Sequence, residues 1–254
     1  MAASRGKYLG GSTGCNGSLC IRGTKDDFNK WELEGWSGDE VFSYMNKVLC
    51  MQPTKSGFRT EPPAQAETFH SKPWFDADLS NHGTTGPLHT EPHDLAPISK
   101  LLLQSFESQG LRKQDDMFSS GNNPHGCGHA PRTVYQGMRS TAADFLRKSD
   151  ANLAILTETT FDKVILTREG GGEIKASAVR IIDKAGIARM IDAKREVIVS
   201  AGAYCTPAIL LRSGIGAAGE LEQIGIECKV DLSGVGKNLL DHLVIFGLPL
   251  HNLP

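Results

Sequence analysis

The spacing of apolar residues predicts a chain whose texture changes once, near residue 152. Before that point the periodic stretches are helical. Thr13 to Ile21 reads as a first helix after a glycine turn, and Asp26 to Trp31 as a short turn or helix. Ser37, with Glu40 three residues on, is a capping-box pattern that opens a further helix, placing Val41, Tyr44 and Met45 on one face. Trp31 and Trp36 read as core anchors. Leu95 to Gly110 is amphipathic, with Ile98, Leu101, Leu102, Ser105 and Phe106 as its buried stripe and Gly110 as its C′ stop. Ser140 to Lys148 reads as a short helix with Ala142, Ala143, Phe145 and Leu146 inside. Residues 48–65, with three prolines, together with 66–93 and 119–137, read as loop.

After residue 152 the period shortens. Leu153–Thr157, Phe161–Leu166, Ala176–Ile182 and Ile187–Asp192 predict strands of a β-meander, with turns at Gly170-Gly171-Gly172 and Lys184-Ala185-Gly186. Val197-Ile198-Val199 does not alternate, which suggests a strand buried on both faces, as in a parallel sheet. It runs through Ser200-Ala201-Gly202-Ala203 into a helix, Thr206–Arg212, with Thr206 as cap and Pro207 in the first turn. Gly214 and Gly216 end it. A short helix over 217–225 and a short strand over 227–230 follow.

Composition narrows the functions open to such a chain. It has 254 residues and a formal net charge of −2, so no basic face points to nucleic acid. No apolar run is long enough to span a bilayer, and the first seven residues lack the apolar core of a secretory leader. The six cysteines form no CxxC pair and read as reduced thiols. His125-Gly126-Cys127-Gly128-His129 alternates three potential ligands, but the spacing matches no standard tetrahedral site. It reads as a ligand-adjacent loop, with no metal.

Candidate chemistry sits in Gly10-Gly11-Ser12-Thr13. Glycine reaches positive φ and lets a ligand lie against bare amides, and a helix N-terminus after such a turn suits a phosphate. A plain glycine turn with a Ser or Thr cap fits the same residues. The strand, small-residue turn and helix at 196–212 likewise read as either a nucleotide cradle or tight strand–helix packing.

Three separated stretches, in order and at matching spacing, resemble one family. Gly6-Lys7-x-Leu9-Gly10-Gly11-Ser12-Thr13-x-x-Asn16-Gly17, with Arg22-Gly23 and Asp27-Phe28-x-x-Trp31, is similar to the first signature of the glucose–methanol–choline (GMC) flavin oxidoreductases. Ser200-Ala201-Gly202-Ala203-x-x-Thr206-Pro207-x-x-Leu210-Leu211-x-Ser213-Gly214-Ile215-Gly216 resembles the second. Gly234-Val235-Gly236-x-Asn238-Leu239-x-Asp241-His242 resembles the segment after it. Arg132-Thr133-Val134 and Gly137 to Leu146 look most like the fungal alcohol-oxidase branch.

The resemblance implies a mixed α/β chain: an incomplete FAD-binding Rossmann-like domain with part of a substrate domain beginning at 243–254. It implies FAD as cofactor and a small-molecule alcohol as substrate. Gly10, Gly11, Ser12, Asn16 and Gly17 would meet the FAD pyrophosphate and flavin edge, Leu19 the flavin side, and the Phe161 backbone the adenine. Cys15 stands where some members carry a His bonded covalently to flavin, so non-covalent FAD is expected. The family's G-x-G-x-x-G unit belongs before Gly6 and its catalytic His beyond Pro254. No catalytic residue is therefore assigned here, and the chain is expected to be an internal part of such an enzyme, with exposed edges and apolar faces. The alternative is an inactive remnant of the family. Deleting 48–65, which begins with Val and ends with Gln in frame, restores the family's helix register, so that stretch is expected to be a translated intron, with a genuine surface insertion as the alternative.

Overall fold

Two capping boxes begin the N-terminal part of the computed structural model. It describes residues 5–51, 79–92, 96–114, 116–122, 124–135, 137–146, 152–168 and 170–241. The chain divides into two units, Met1–Leu153 and Ala154–Pro254, each described by itself. In the first, Thr24 and Asp27 exchange hydrogen bonds at the start of α1 (Lys25–Asn29), a box that the sequence analysis did not single out. Ser37 and Glu40 do the same for α2 (Gly38–Val48), as expected. The bonds from the Ser37 side chain and amide hold the Glu40 carboxyl below its usual pKa. α2 runs directly into β1 (Leu49–Met51), which pairs in parallel with β2 (Leu88–Thr90). Leu49, Cys50 and Met51 are all buried, so the loop expected over 48–65 is wrong for these strand residues and for Val48, the end of α2. Residues 52–78 lie outside the described set.

α2 buries Phe42, whose ring meets Phe28 edge-on at 6.2 Å. The face that the sequence groups together lines an open apolar groove: Val41, Tyr44 and Met45 stand there with Ile21 and Trp36. Trp31 and Trp36 are half exposed rather than core anchors. α3 (Pro97–Ser108) forms where the period predicts it. Its end is a Schellman motif: Leu111 N–H donates to Phe106 O and Gly110 N–H to Glu107 O, with Gly110 at φ 87. None of its residues is buried. The stripe through Ile98 and Leu101 has the right period, but no described neighbour covers it.

The expected helix over 13–21 is replaced by a single 3-10 turn, Gly11–Gly14. Gly14 and Gly17 weaken helix here, and the Asn16 side chain captures the Ser18 amide at 2.9 Å, with Ser18 at φ 60. The chain then runs extended, bridging Leu19 to Arg132. β3 (Val134–Tyr135) and β4 (Met138–Arg139) form a small hairpin ahead of a 3-10 turn, Ala142–Leu146. That turn stands where a short helix was expected, and Phe145 on it is exposed.

In the second unit β5 (Thr160–Arg168), β6 (Ile174–Ile182) and β7 (Ala188–Asp192) form the expected antiparallel meander, in that order. Two expected strands do not form. Residues 153–157 and 196–200 have no ladder and are largely exposed, Ile198 at 76%. A strand needs a neighbour's N–H and C=O groups, and among the described residues none pairs with them.

α4 (Gly202–Arg212) starts four residues earlier than expected, which moves Pro207 from the first turn into the helix interior. Thr206 is accordingly not the cap; its hydroxyl accepts the Ala201 amide at 3.0 Å. β8 (Ile215–Gly216) pairs in parallel with β9 (Val230–Asp231) around α5 (Ala218–Gln223). No helix among the described residues is long and apolar enough to cross a membrane.

Candidate functional site

The glycine turn of the first unit is built by close backbone approach. Gly10 sits at φ 91 and Gly11 at φ 54, a region that disfavours side chains. A methyl on Gly10 would lie 3.0 Å from the Ala143 amide, and one on Gly6 only 2.4 Å from Gly11 O. These glycines let the turn fold on itself and against 142–146. Gly11 and Gly17 differ: among the described residues, an added Cβ at either meets nothing within 4 Å. There bare backbone faces open space.

Side chains of the turn itself and one from β4 hold it. Thr13 Oγ1 donates to Gly10 O and accepts the Ala142 amide. Ser12 Oγ accepts the Gly6 amide at 3.2 Å. Arg139 Nη1 on β4 donates to Asn16 Oδ1 at 2.9 Å and to Thr13 O at 3.3 Å. Asn16 Oδ1 therefore takes both Arg139 and Ser18, fixing the chain between the turn and Leu19. Thr133 N–H to Ser18 O and Cys20 N–H to Pro131 O then lock Leu19 from both sides, leaving its side chain half exposed. Among the described residues, the Ser12 and Gly17 amides are donated to no backbone carbonyl.

Gly10, Gly11, Ser12, Asn16, Gly17 and Leu19 thus lie along one continuous stretch with rigid support. Positive-φ glycines, undonated amides and open space beside Gly11 and Gly17 fit an anionic diphosphate and a flat ring edge. Phe161 lies in the second unit, on β5. Arg139 is the residue that the sequence analysis missed as a site element. It was visible there only as one letter of a branch-like stretch, 123 residues from Asn16. The exposed Cys15 Sγ donates to Ser12 O at 3.7 Å. Its contact with Tyr8, mainly a side-chain hydrogen bond, raises the Tyr8 pKa.

The His125–His129 loop is organised by backbone. Cys127 N–H donates to Arg112 O and Gln114 N–H to Cys127 O. Burial, and then Arg132, lower the His129 pKa, which disfavours the charged ring. Among the described residues no cluster of three metal-ligating side chains occurs.

The family model for the GMC oxidoreductases matches residues 1–244, and the chain belongs to that family. Its mixed α/β fold matches the family's FAD-binding N-terminal domain. Oxygen-dependent choline dehydrogenase of Rhizobium meliloti (strain 1021) is 30% identical over 251 residues, 97% of this chain and 40% of that protein. Glucose dehydrogenase [FAD, quinone] of Drosophila pseudoobscura pseudoobscura is 34% identical over 248 residues, 95% of this chain and 36% of that protein. Among solved structures, a variant of Aspergillus oryzae formate oxidase superposes with TM-score 0.76 at 27% identity, covering 94% of this chain and 38% of that one. A fungal aryl-alcohol oxidase gives TM-score 0.76 at 26% identity, covering 91% and 38%. The chain therefore spans about 40% of the length of the curated relatives it matches.

Proposed function

We propose that this chain carries the pyrophosphate and flavin-edge cradle of an FAD-dependent oxidoreductase acting on the CH–OH group of a small alcohol. The observation that carries this is the Gly10–Gly17 turn, with its bare, open-facing glycines pinned by Thr13 and Arg139. Gly10, Gly11 and Ser12 hold the diphosphate; Asn16, Gly17 and Leu19 border the flavin; the Phe161 backbone meets the adenine. When bound, FAD supplies a two-electron acceptor for the hydride of the alcohol carbon. The chain's own part is to bind and orient: rigid donors already in place need no reorganisation when charge arrives. Cys15 replaces the histidine of covalently linked members, so the cofactor is held non-covalently and leaves on acid denaturation. Likeness to formate and aryl-alcohol oxidases supports a place near the fungal alcohol oxidases.

Gly17→Val separates this reading from a plain turn. Among the described residues nothing lies within 4 Å of the added Cβ, so the melting temperature should stay unchanged. The side chain enters the space assigned to cofactor, so FAD affinity in a calorimetric titration should fall about tenfold or more. Equal affinity in parent and variant would overturn the assignment.

A further inference from the structure

We propose that Asp162, clamped by Arg180 and Arg212, is a positioning residue that sets the Phe161 backbone for adenine and so favours FAD over FMN. The inference rests on the reading that Phe161 meets the adenine. The pairs Phe161↔Ile181 and Lys163↔Arg180 leave Asp162 as the extra residue of a β-bulge in β5. A bulge bends its strand and re-aims the residues beside it. Among the described residues β5 is an edge strand, so no described strand steadies this bend from the other side.

The last turn of α4 takes that role. Arg180 Nη1 reaches Asp162 Oδ2 at 3.1 Å. Arg212 Nε lies 3.3 Å from Asp162 Oδ1 and donates to the Asp162 carbonyl at 2.9 Å. Two residues on, the Val164 amide donates to Ser213 Oγ at 2.8 Å, and Ser213 Oγ donates to Ile209 O at 2.7 Å. Arg212 and Ser213 thus grip the Asp162 carbonyl and the Val164 amide of β5, just after Phe161. The two grips differ in kind. Ser213 and Val164 are buried and belong to the packed core. The Asp162 carboxylate is 17% exposed, and its arginine partners are 41% and 44% exposed. Ion pairs this open add little to global stability. They can still fix a local backbone path, and the path they fix is the one presented to the adenine.

The test titrates FAD and FMN separately into the full chain, for the parent, Asp162→Asn and Arg212→Gln, and follows backbone hydrogen exchange. Both variants should bind FAD about fivefold more weakly, the scale of partly exposed ion pairs. FMN, which has no adenine, should bind all three proteins equally. Exchange at residues 161–163 should quicken while Val164 stays protected. Equal loss for both flavins, or unchanged FAD affinity, would overturn the proposal. A parent that binds neither flavin refutes the cofactor reading itself. Exchange then decides the clamp alone: faster exchange at 161–163 in the variants supports it, and unchanged exchange overturns it.

Discussion

Gly83→Ala should destabilise the first unit by about 3 kcal/mol or more, the upper range for forcing atoms into a packed site. The added Cβ would fall 1.8 Å from Asn46 O and 2.3 Å from Leu49 O. Both are backbone atoms where α2 passes into β1, so no side chain can swing aside. Gly86 makes the same approach, with its Cβ position 2.2 Å from the Val48 carbonyl. The close fit serves hydrogen bonding: Met51 N–H donates to Gly83 O at 2.8 Å and Gly86 N–H to Leu49 O at 3.2 Å. A methyl at 83 must push the 83–90 segment off β1. A urea melt checks this, and a midpoint equal to that of the parent contradicts it.

Asp116→Ala should cost nearly as much, also about 3 kcal/mol, because it strands buried polar partners. Asp116 is 4% exposed and sits at φ 56. Its Oδ2 lies 2.8 Å from Nε2 of the equally buried His82. Arg22, 8% exposed, lies beside this pair and over the Phe42 ring. Its Nη1 donates to Asn46 Oδ1 and Asn81 O, both at 2.9 Å. Burial pushes the Arg22 pKa down, and the charges of Cys20 and Asp116 oppose that. Alanine would remove the anion, leave His82 without this acceptor and place a Cβ-only residue in the left-handed region. Asp116→Asn keeps an acceptor and tolerates that backbone, so it should lose roughly half as much. Equal melts for the two variants would contradict this, since both remove the charge and only the asparagine keeps an acceptor and suits the backbone.

Local signals carried well into three dimensions where both partners are near in sequence. Ser37 and Glu40 made their box, Gly110 ended α3 and the glycine turns set the meander. Periodicity misled at 13–21, because it ignores what Gly14, Gly17 and the Asn16 side chain do to backbone. It found α3, though the stripe expected to be buried is uncovered, and it misled at 197–199, where the expected buried strand does not form. Burial and pairing depend on a second surface, which a local pattern does not supply. In the candidate site, the turn and its glycines were legible as a motif. The Arg139 staple was not, because nothing local links residue 139 to residue 16. The Asp162 clamp was hidden for the same reason: its arginines come from β6 and α4.

Amide shifts of the isotope-labelled chain on adding FAD test the central claim most directly. If the glycine turn is the diphosphate cradle, the largest changes fall on the Ser12 and Gly17 amides, with smaller ones along 10–16 and at Arg139. No change at these amides under saturating FAD, or changes confined to other segments, would contradict it.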